Sequence, residues 1–274
     1  MNCINLCDLL NRQDFENGTF DMLLQMLNIT KPGRLYIGSY FCSQYFINMD
    51  FLAKLKQLFK AHSYALTLVI PVVSEKDLSI AKDLTSQIIK ELPVDEVTVN
   101  DVGMLSTIHN NYPIHINLGR LFFKDEREIR VSSFFQKIVR PANLDLLKTY
   151  AECYRIKYAE LDSISSSLAV QIDSDIKIAL HEPLCYMTTG NVCKYASINK
   201  EFTQKFRPNA SCSLECKYVY EIYTPNTFDY TLYRIGRTIY FETKRPQIIN
   251  GCVDRYIYFP FFEITRIKKE GTSI

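Results

Sequence analysis

YALTLVIPVVSEKDLSIAKDLTSQIIKELPVDEVTV, residues 64–99, reads as one strand–helix–strand unit. Its opening run, Tyr64 to Val73, is nearly all apolar, as a strand covered on both faces must be. Leu78, Ala81, Leu84, Ile88 and Ile89 follow at the three- and four-residue spacing of an amphipathic helix. Glu96 to Val99 is then a second strand. A helix between two strands implies parallel pairing, because a parallel neighbour needs a long return connection.

The same texture extends both ways. Upstream, Ile4 to Leu10 is a short apolar stretch. Phe20, Leu23, Leu24 and Leu27 mark a helix, Lys31-Pro-Gly ends it, and Arg34 to Ile37 is a strand. Phe51, Leu55, Leu58 and Phe59 form a further helical face. Downstream, Asp101 to His109 is a short helix, Ile114 to Leu118 a strand, Asn143 to Tyr154 a helix and Ile156 to Leu161 a strand. Ser163 to Ile172 reads as a Ser-rich helix and Ile176 to Leu180 as a strand, while the charged run Lys124 to Arg130 is a loop or an exposed helix. About seven such units in about 180 residues predict an α/β fold, a TIM-barrel-like (β/α) barrel rather than an open sheet.

From Cys185 onward helical periodicity disappears. Tyr218 to Tyr223, Tyr230 to Ile235, Thr238 to Glu242 and Arg255 to Ile264 are rich in Tyr, Ile and Phe and read as strands, with Gly236 at a hairpin. No Gly/Ser or Pro-rich linker divides the chain. The expectation is a single domain over 1–274, with barrel-like βα units in 1–184 and a β-rich, cysteine-bearing elaboration in 185–274, and no closing helix after the last strand.

The 274 residues are 47% apolar and 23% charged, which excludes a disordered, collagen-like or coiled-coil chain. A net charge of +2 does not by itself point to nucleic acid. The first residues, MNCINLCDLLNRQDFENG, lack the basic and apolar regions of a signal peptide. The longest apolar run falls far short of the roughly 20 residues that span a bilayer. The expected location is therefore cytoplasmic, where thiols stay reduced and the nine cysteines need not pair.

Cys185, Cys193, Cys212 and Cys216 crowd into one irregular stretch with spacings C-x7-C and C-x3-C, broken by Gly190, Pro208 and Asn209. Loops that wrap a metal look like this, since thiolates must converge on one point. Zinc and an iron–sulfur cluster are both open on spacing alone, although the paired C-x2-C knuckles of zinc ribbons are missing. Buried free thiols are the plainer alternative. Cys42 stands apart, just past the strand Arg34 to Ile37, where a barrel has its functional rim.

Several segments resemble, in order, those of the collagenase-like peptidase family. They are RLYIGSYFCSQ (34–44), VNDVGMLSTIHNNYPIHINLGRLF (99–122), IKIALHEPLCYMTTGNVC (176–193), Cys212-Ser-Leu-Glu-Cys216, Ile249-Asn250-Gly251 and Val253-Asp254. The resemblance spans roughly residues 30–260. It implies a 4Fe–4S cluster, a cofactor held by Cys42, Cys193, Cys212 and Cys216. The pattern of other family members implies instead Cys185, Cys193, Cys212 and Cys252, which leaves Cys42 and Cys216 idle. Cys3, Cys7 and Cys153 are bystanders on either reading. The resemblance further implies a role in oxygen-independent hydroxylation, of ubiquinone precursors or of RNA, and a protein partner of the same family. Its rivals are a peptidase and a non-catalytic, zinc- or cluster-stapled binding protein.

No nucleophile or H-E-x-x-H metal motif supports the peptidase, and no catalytic residue is assigned. Other candidates carry plainer readings beside the functional ones. His115 lies on a strand, facing the barrel interior by the resemblance, or is a satisfied core histidine. His181 and Glu182 end a strand at the rim but point to opposite faces. Asp101 is a rim residue or a helix N-cap. Glu160 and Asp162 share one face of a strand, as acid–base carboxylates must. Tyr and Phe in 218–262 serve either a β core or a base-stacking surface for RNA, and the basic run from Arg266 is a solvated end.

Overall fold

In the computed structural model the described residues are 2–10, 18–48, 52–53, 55–57, 64–123, 138–139, 144–164, 166–170, 175–217, 219–226 and 230–271. The charged run 124–130 and most of the helical face at 51–59 lie outside them.

Eight parallel strands close into a barrel. In chain order they are β1 (Asn2–Asn5), β2 (Arg34–Gly38), β3 (Ala65–Ile70), β4 (Val94–Val99), β5 (His115–Leu118), β7 (Ile156–Asp162), β9 (Lys177–Glu182) and β15 (Arg255–Tyr258). Each pairs with the next, and β15 returns to β1 with Cys3 opposite Ile257. Strand β3, buried from Leu66 to Ile70, sits between β2 and β4, as its nearly all-apolar run requires. The expected α/β barrel is therefore present, with strands dominating it.

Helices cover the early crossovers. They are α1 (Thr19–Met26), α2 (Ser43–Ile47), α3 (Leu78–Glu91), α4 (Val102–Asn111) and α5 (Leu147–Cys153). Buried Ala81, Thr85 and Ile88 form the inner stripe of α3.

The last two crossovers carry strands instead. Ser163 to Ile172, expected as a helix, contains β8 (Ser167–Ala169). It lies between β6 (Ile138–Val139) and β14 (Gln247–Ile249) in a small parallel sheet. Serine competes poorly for helix, and pairing with β14 overrides what helical spacing the segment has. The crossover from β9 to β15 holds an antiparallel sheet in the order β10 (Leu184–Thr189), β13 (Thr238–Glu242), β12 (Leu232–Ile235) and β11 (Glu221–Tyr223). Gly236 turns the β12–β13 hairpin at φ 57°, a left-handed conformation that favours glycine.

Residues 185–274 hold the last barrel strand, β15, which completes the wall just beyond Val253-Asp254. One expectation about this part needs correction. The expected strand Arg255 to Ile264 stops at Tyr258, and Pro260, which has no N–H for a ladder, precedes the helix α6 (Phe261–Gly271). A closing helix therefore exists and packs beside α1, with Phe261 and Ile264 buried three residues apart. The run of aromatic residues ahead of it hides its helical period.

Candidate metal centre

Barrels expose functional groups where strands end. Gly38 ends β2 at φ 109°, and a Cβ there would stand 2.2 Å from the Val69 carbonyl oxygen, so only glycine fits. The chain then turns outward through Ser39, whose Oγ accepts a 3.0 Å hydrogen bond from the Cys42 amide. This fixes Cys42 above the rim. Asp8, just past β1, reaches the same place.

Four cysteines line one recess there: Cys42, Cys193, Cys212 and Cys216, with Asn191, Tyr195, Glu215 and Arg237 among the other walls. Cys193 follows β10, and Ser197 Oγ holds its carbonyl at 3.2 Å. Cys216 is buried under the β12–β13 hairpin, where a Cβ on Gly236 would meet its Sγ at 4.0 Å. Burial pushes the Cys216 thiol well up, and the neighbouring Cys42, Cys193 and Cys212 push it the same way. Burial likewise raises Cys42 to about 12, although the Arg237 guanidinium opposes the shift. Cys212 is raised by burial too. At neutral pH these three thiols are protonated, so a metal that binds them must displace protons.

The four-thiol donor set fits a thiophilic metal or an iron–sulfur cluster. Buried polar atoms without partners surround it: Tyr195 Oη, Glu215 Oε2 and Arg237 Nε on the recess, and Asp8 Oδ1 beside it. Among the described residues no group of three or more Cys, His, Asp or Glu side chains already stands in ligating geometry. Ligation therefore requires the thiols to close in from the recess walls.

The other cysteines stay apart from the recess. Cys185 is fully buried in β10, its Sγ 3.9 Å from the Tyr186 carbonyl, and Cys252 is exposed. Cys3 and Cys7 are buried, and Cys153 is exposed.

Beneath the rim the barrel interior is polar, unlike the branched apolar layers usual in such barrels. Low in the barrel, Arg255 donates to both Glu96 oxygens at 2.8 and 3.2 Å and to Tyr36 Oη at 3.0 Å. Arg34 donates to Thr67 at 3.0 Å and Asn117 to Glu96 at 3.2 Å. Burial alone would raise the Glu96 carboxyl, but hydrogen-bonded Arg255, with Arg34 and Lys157, holds it at about 2.

Higher up, Glu160 accepts hydrogen bonds from Tyr40 Oη at 2.8 Å and Thr98 Oγ1 at 2.5 Å, and its Oε2 lies 3.1 Å from His181 Nε2. Burial raises Glu160 to about 7 against these donors and pushes His181 well below its ordinary range. Asp162 pairs with Arg120, whose guanidinium lies 5.3 to 5.5 Å from the Tyr40, Phe41 and Tyr186 rings. Tyr40, Phe41 and Cys42 are consecutive, so one short segment joins this carboxylate cluster to the thiol recess.

Glu160 and Asp162 thus share the interior face of β7, as expected from their spacing. His181 points inward while Glu182 pairs with Arg245 outside. Asp101 is an N-cap, with Oδ1 accepting from the Met104 amide at 2.7 Å. His115 departs from its core reading. It shares the interior face of β5 with Asn117 by strand alternation, but it is the first residue of the strand and lies exposed at the open end opposite the rim, so it is not a buried core histidine. The rings of the C-terminal part pair with one another, as in Tyr240–Phe259 and Tyr220–Phe261.

Arg237, Tyr195 and Asp8 escaped the sequence reading. Asp8 was findable as a polar residue shortly after a strand, like Cys42. Arg237 carried only its place beside a hairpin glycine.

Comparison with protein-family models, with curated proteins and with solved structures gives no match for this chain. No helix among the described residues is long and apolar enough to cross a membrane.

Proposed function

We propose that this chain is an iron–sulfur protein whose 4Fe–4S cluster is held by Cys42, Cys193, Cys212 and Cys216. The carrying observation is that these four cysteines, from separate segments, line one recess at the C-terminal rim of a parallel barrel. The family proposed is the collagenase-like peptidase family, on the ordered segments quoted above. Within it the resemblance is narrowest to UbiV, a protein of anaerobic ubiquinone hydroxylation that works with UbiU. Oxygen-independent hydroxylation, of a ubiquinone precursor or of RNA, with a partner of the same family, is the proposed role.

Such a cluster supplies one-electron chemistry when bound. The chain's own residues prepare the site for it. Phe41 and Tyr45 line an adjoining pocket that shares Cys42, Cys216 and Arg237 with the recess. The Arg237 guanidinium lies beside Cys42 and offsets the negative charge that thiolates bring. Glu160, at about 7, holds or releases a proton at neutral pH, and Tyr40 and His181 fix its orientation. Against the peptidase reading, His181, the buried histidine of the barrel interior among the described residues, bonds through Nε2 to Glu160 and not to a serine or threonine hydroxyl.

Anaerobic purification tests the reading. The expected product is brown, absorbs near 400 nm and carries roughly four irons per chain. Stoichiometric zinc without iron under those conditions would overturn it in favour of a zinc-stapled protein.

A further inference from the structure

We propose that the exposed face of residues 192–207 is a docking surface for an acidic one-electron carrier protein. The inference rests on the reading of the thiol recess as a cluster site and names the source of that cluster's electrons.

Val192, Ile198, Phe202 and Phe206 are all exposed, Phe202 by 89% and Phe206 by 59%. Single exposed apolar residues are ordinary, but a group of them on one loop marks an interaction site. The loop is braced, which fixes the backbone that carries these side chains. The Phe206 amide donates to Ser197 Oγ at 2.8 Å, next in sequence to Ile198. The Asn209 amide donates to the Asn191 carbonyl at 2.8 Å, next to Val192. Lys200 Nζ donates to the Ser211 carbonyl at 2.6 Å.

The charge around this face is positive. Lys200, Lys205 and Arg207 have no carboxylate partner among the described residues, and Glu201 is the only acid in 192–207. Lys194 is set aside because it pairs with Glu221. An apolar centre with a basic rim complements an acidic protein surface, and small interfaces steered by charge are typical of transient redox pairs. The face also adjoins the thiols. It belongs to the loop that carries Cys193 and leads to Cys212, and Ser197 bonds to both the Phe206 amide and the Cys193 carbonyl. In the transfer one electron leaves the carrier and enters the cluster, and no bond is made or broken.

The probe is reduced plant-type ferredoxin, with the full chain loaded anaerobically. The variants are Phe202→Ser and the pair Lys205→Glu with Arg207→Glu; Lys200 is spared because it ties the loop to Ser211, whereas Arg207 reaches only the Thr203 carbonyl four residues before it. Iron content and reduction by dithionite are expected to match the parent in both. Reduction by ferredoxin is expected to slow at least about tenfold in the charge-reversed pair, and the parent's rate to fall with added salt. Calorimetric titration of ferredoxin into the metal-free chain separates the two readings. Salt-sensitive binding, lost in the variants, supports the docking surface even if no cluster assembles, and then only the cluster reading fails. A cluster that forms while the variants take electrons from ferredoxin at the parent's rate overturns the docking surface alone. A single-stranded oligonucleotide that binds this face while ferredoxin does not overturns it too, in favour of RNA.

Discussion

The two possible ligand sets part at Cys42 and Cys216 on one side and Cys185 and Cys252 on the other. Cys42 lines the recess with Cys216, whereas Cys185 is fully buried in β10 and Cys252 is exposed elsewhere. Cys42→Ala is therefore expected to lower iron from about four per chain to three or fewer, or to abolish cluster assembly. Cys185→Ala and Cys252→Ala are expected to leave it unchanged, as read by iron and acid-labile sulfide analysis. Full iron in Cys42→Ala, or its loss in Cys185→Ala, would reverse the ligand set. Glu96 offers a separate test. It anchors Arg255, Arg34, Asn117 and Lys157 in the lower barrel. Glu96→Gln leaves the buried Arg255 guanidinium without its counter-charge, while Arg34 keeps its pair with Asp95, at a cost of about 3–5 kcal/mol in denaturant titration. The two interior carboxylates also pull stability in opposite directions with pH. Glu96 is lowered from 4.5 to about 2, so its contribution is complete above 4.5 and is lost as pH falls toward 2. Glu160 is raised from 4.5 to about 7, so its contribution is complete below 4.5 and is lost as pH rises through 7. Glu160→Gln is expected to flatten the stability profile between those two values and to leave the acid limb intact.

At the scale of elements, β2 and the turn after it set the geometry of the recess. Gly38→Ala would combine a left-handed backbone with a Cβ 2.2 Å from the Val69 carbonyl oxygen. A loss of roughly 2–6 kcal/mol is expected, with weaker metal retention, because Cys42 hangs from the same turn. An unchanged midpoint in urea would show that the turn relaxes at no cost. Strand β3 was legible because burial on both faces leaves an apolar signature that needs no partner to interpret, and most other barrel strands, which carry polar interior residues, were legible from their alternation with helices. The helices α1, α3 and α4 were legible from their single buried stripes. The segments that were not legible all depend on distant pairing. Ser167–Ala169 becomes a strand because Gln247–Ile249 lies beside it, and local spacing carries no trace of that. Phe261 and Ile264 are buried on a helix that packs beside α1, yet the aromatic run before them has strand composition. The same division holds in the site. The four cysteines were legible by residue type and order, whereas the Arg237 guanidinium and the Glu160 cluster come together only once the barrel closes.

For the whole molecule, the recess ties the barrel rim at Cys42 to the loop and hairpin layer around 193–216. Metal bound there stabilises the native chain by mass action, about 4 kcal/mol at a thousandfold excess over its dissociation constant. A chain of this size shifts its melting temperature about 2–4 °C per kcal/mol. Removing the metal is thus expected to lower the melting temperature by roughly 10 °C while the far-ultraviolet circular dichroism persists, because the barrel core is independent of the thiols. Collapse of the whole spectrum on metal removal would show instead that the metal nucleates the fold.

The seam between β1 and β15 has a consequence in time. These are the first and last barrel strands in chain order, and Cys3 meets Ile257 across them. Every cysteine of the recess precedes β15, so a chain growing on the ribosome displays all four thiols before its wall can shut. Such far-separated pairing is slow to form. The cell therefore meets this protein first as an open sheet with bare thiols, and closure of the seam is the step that ends that exposure.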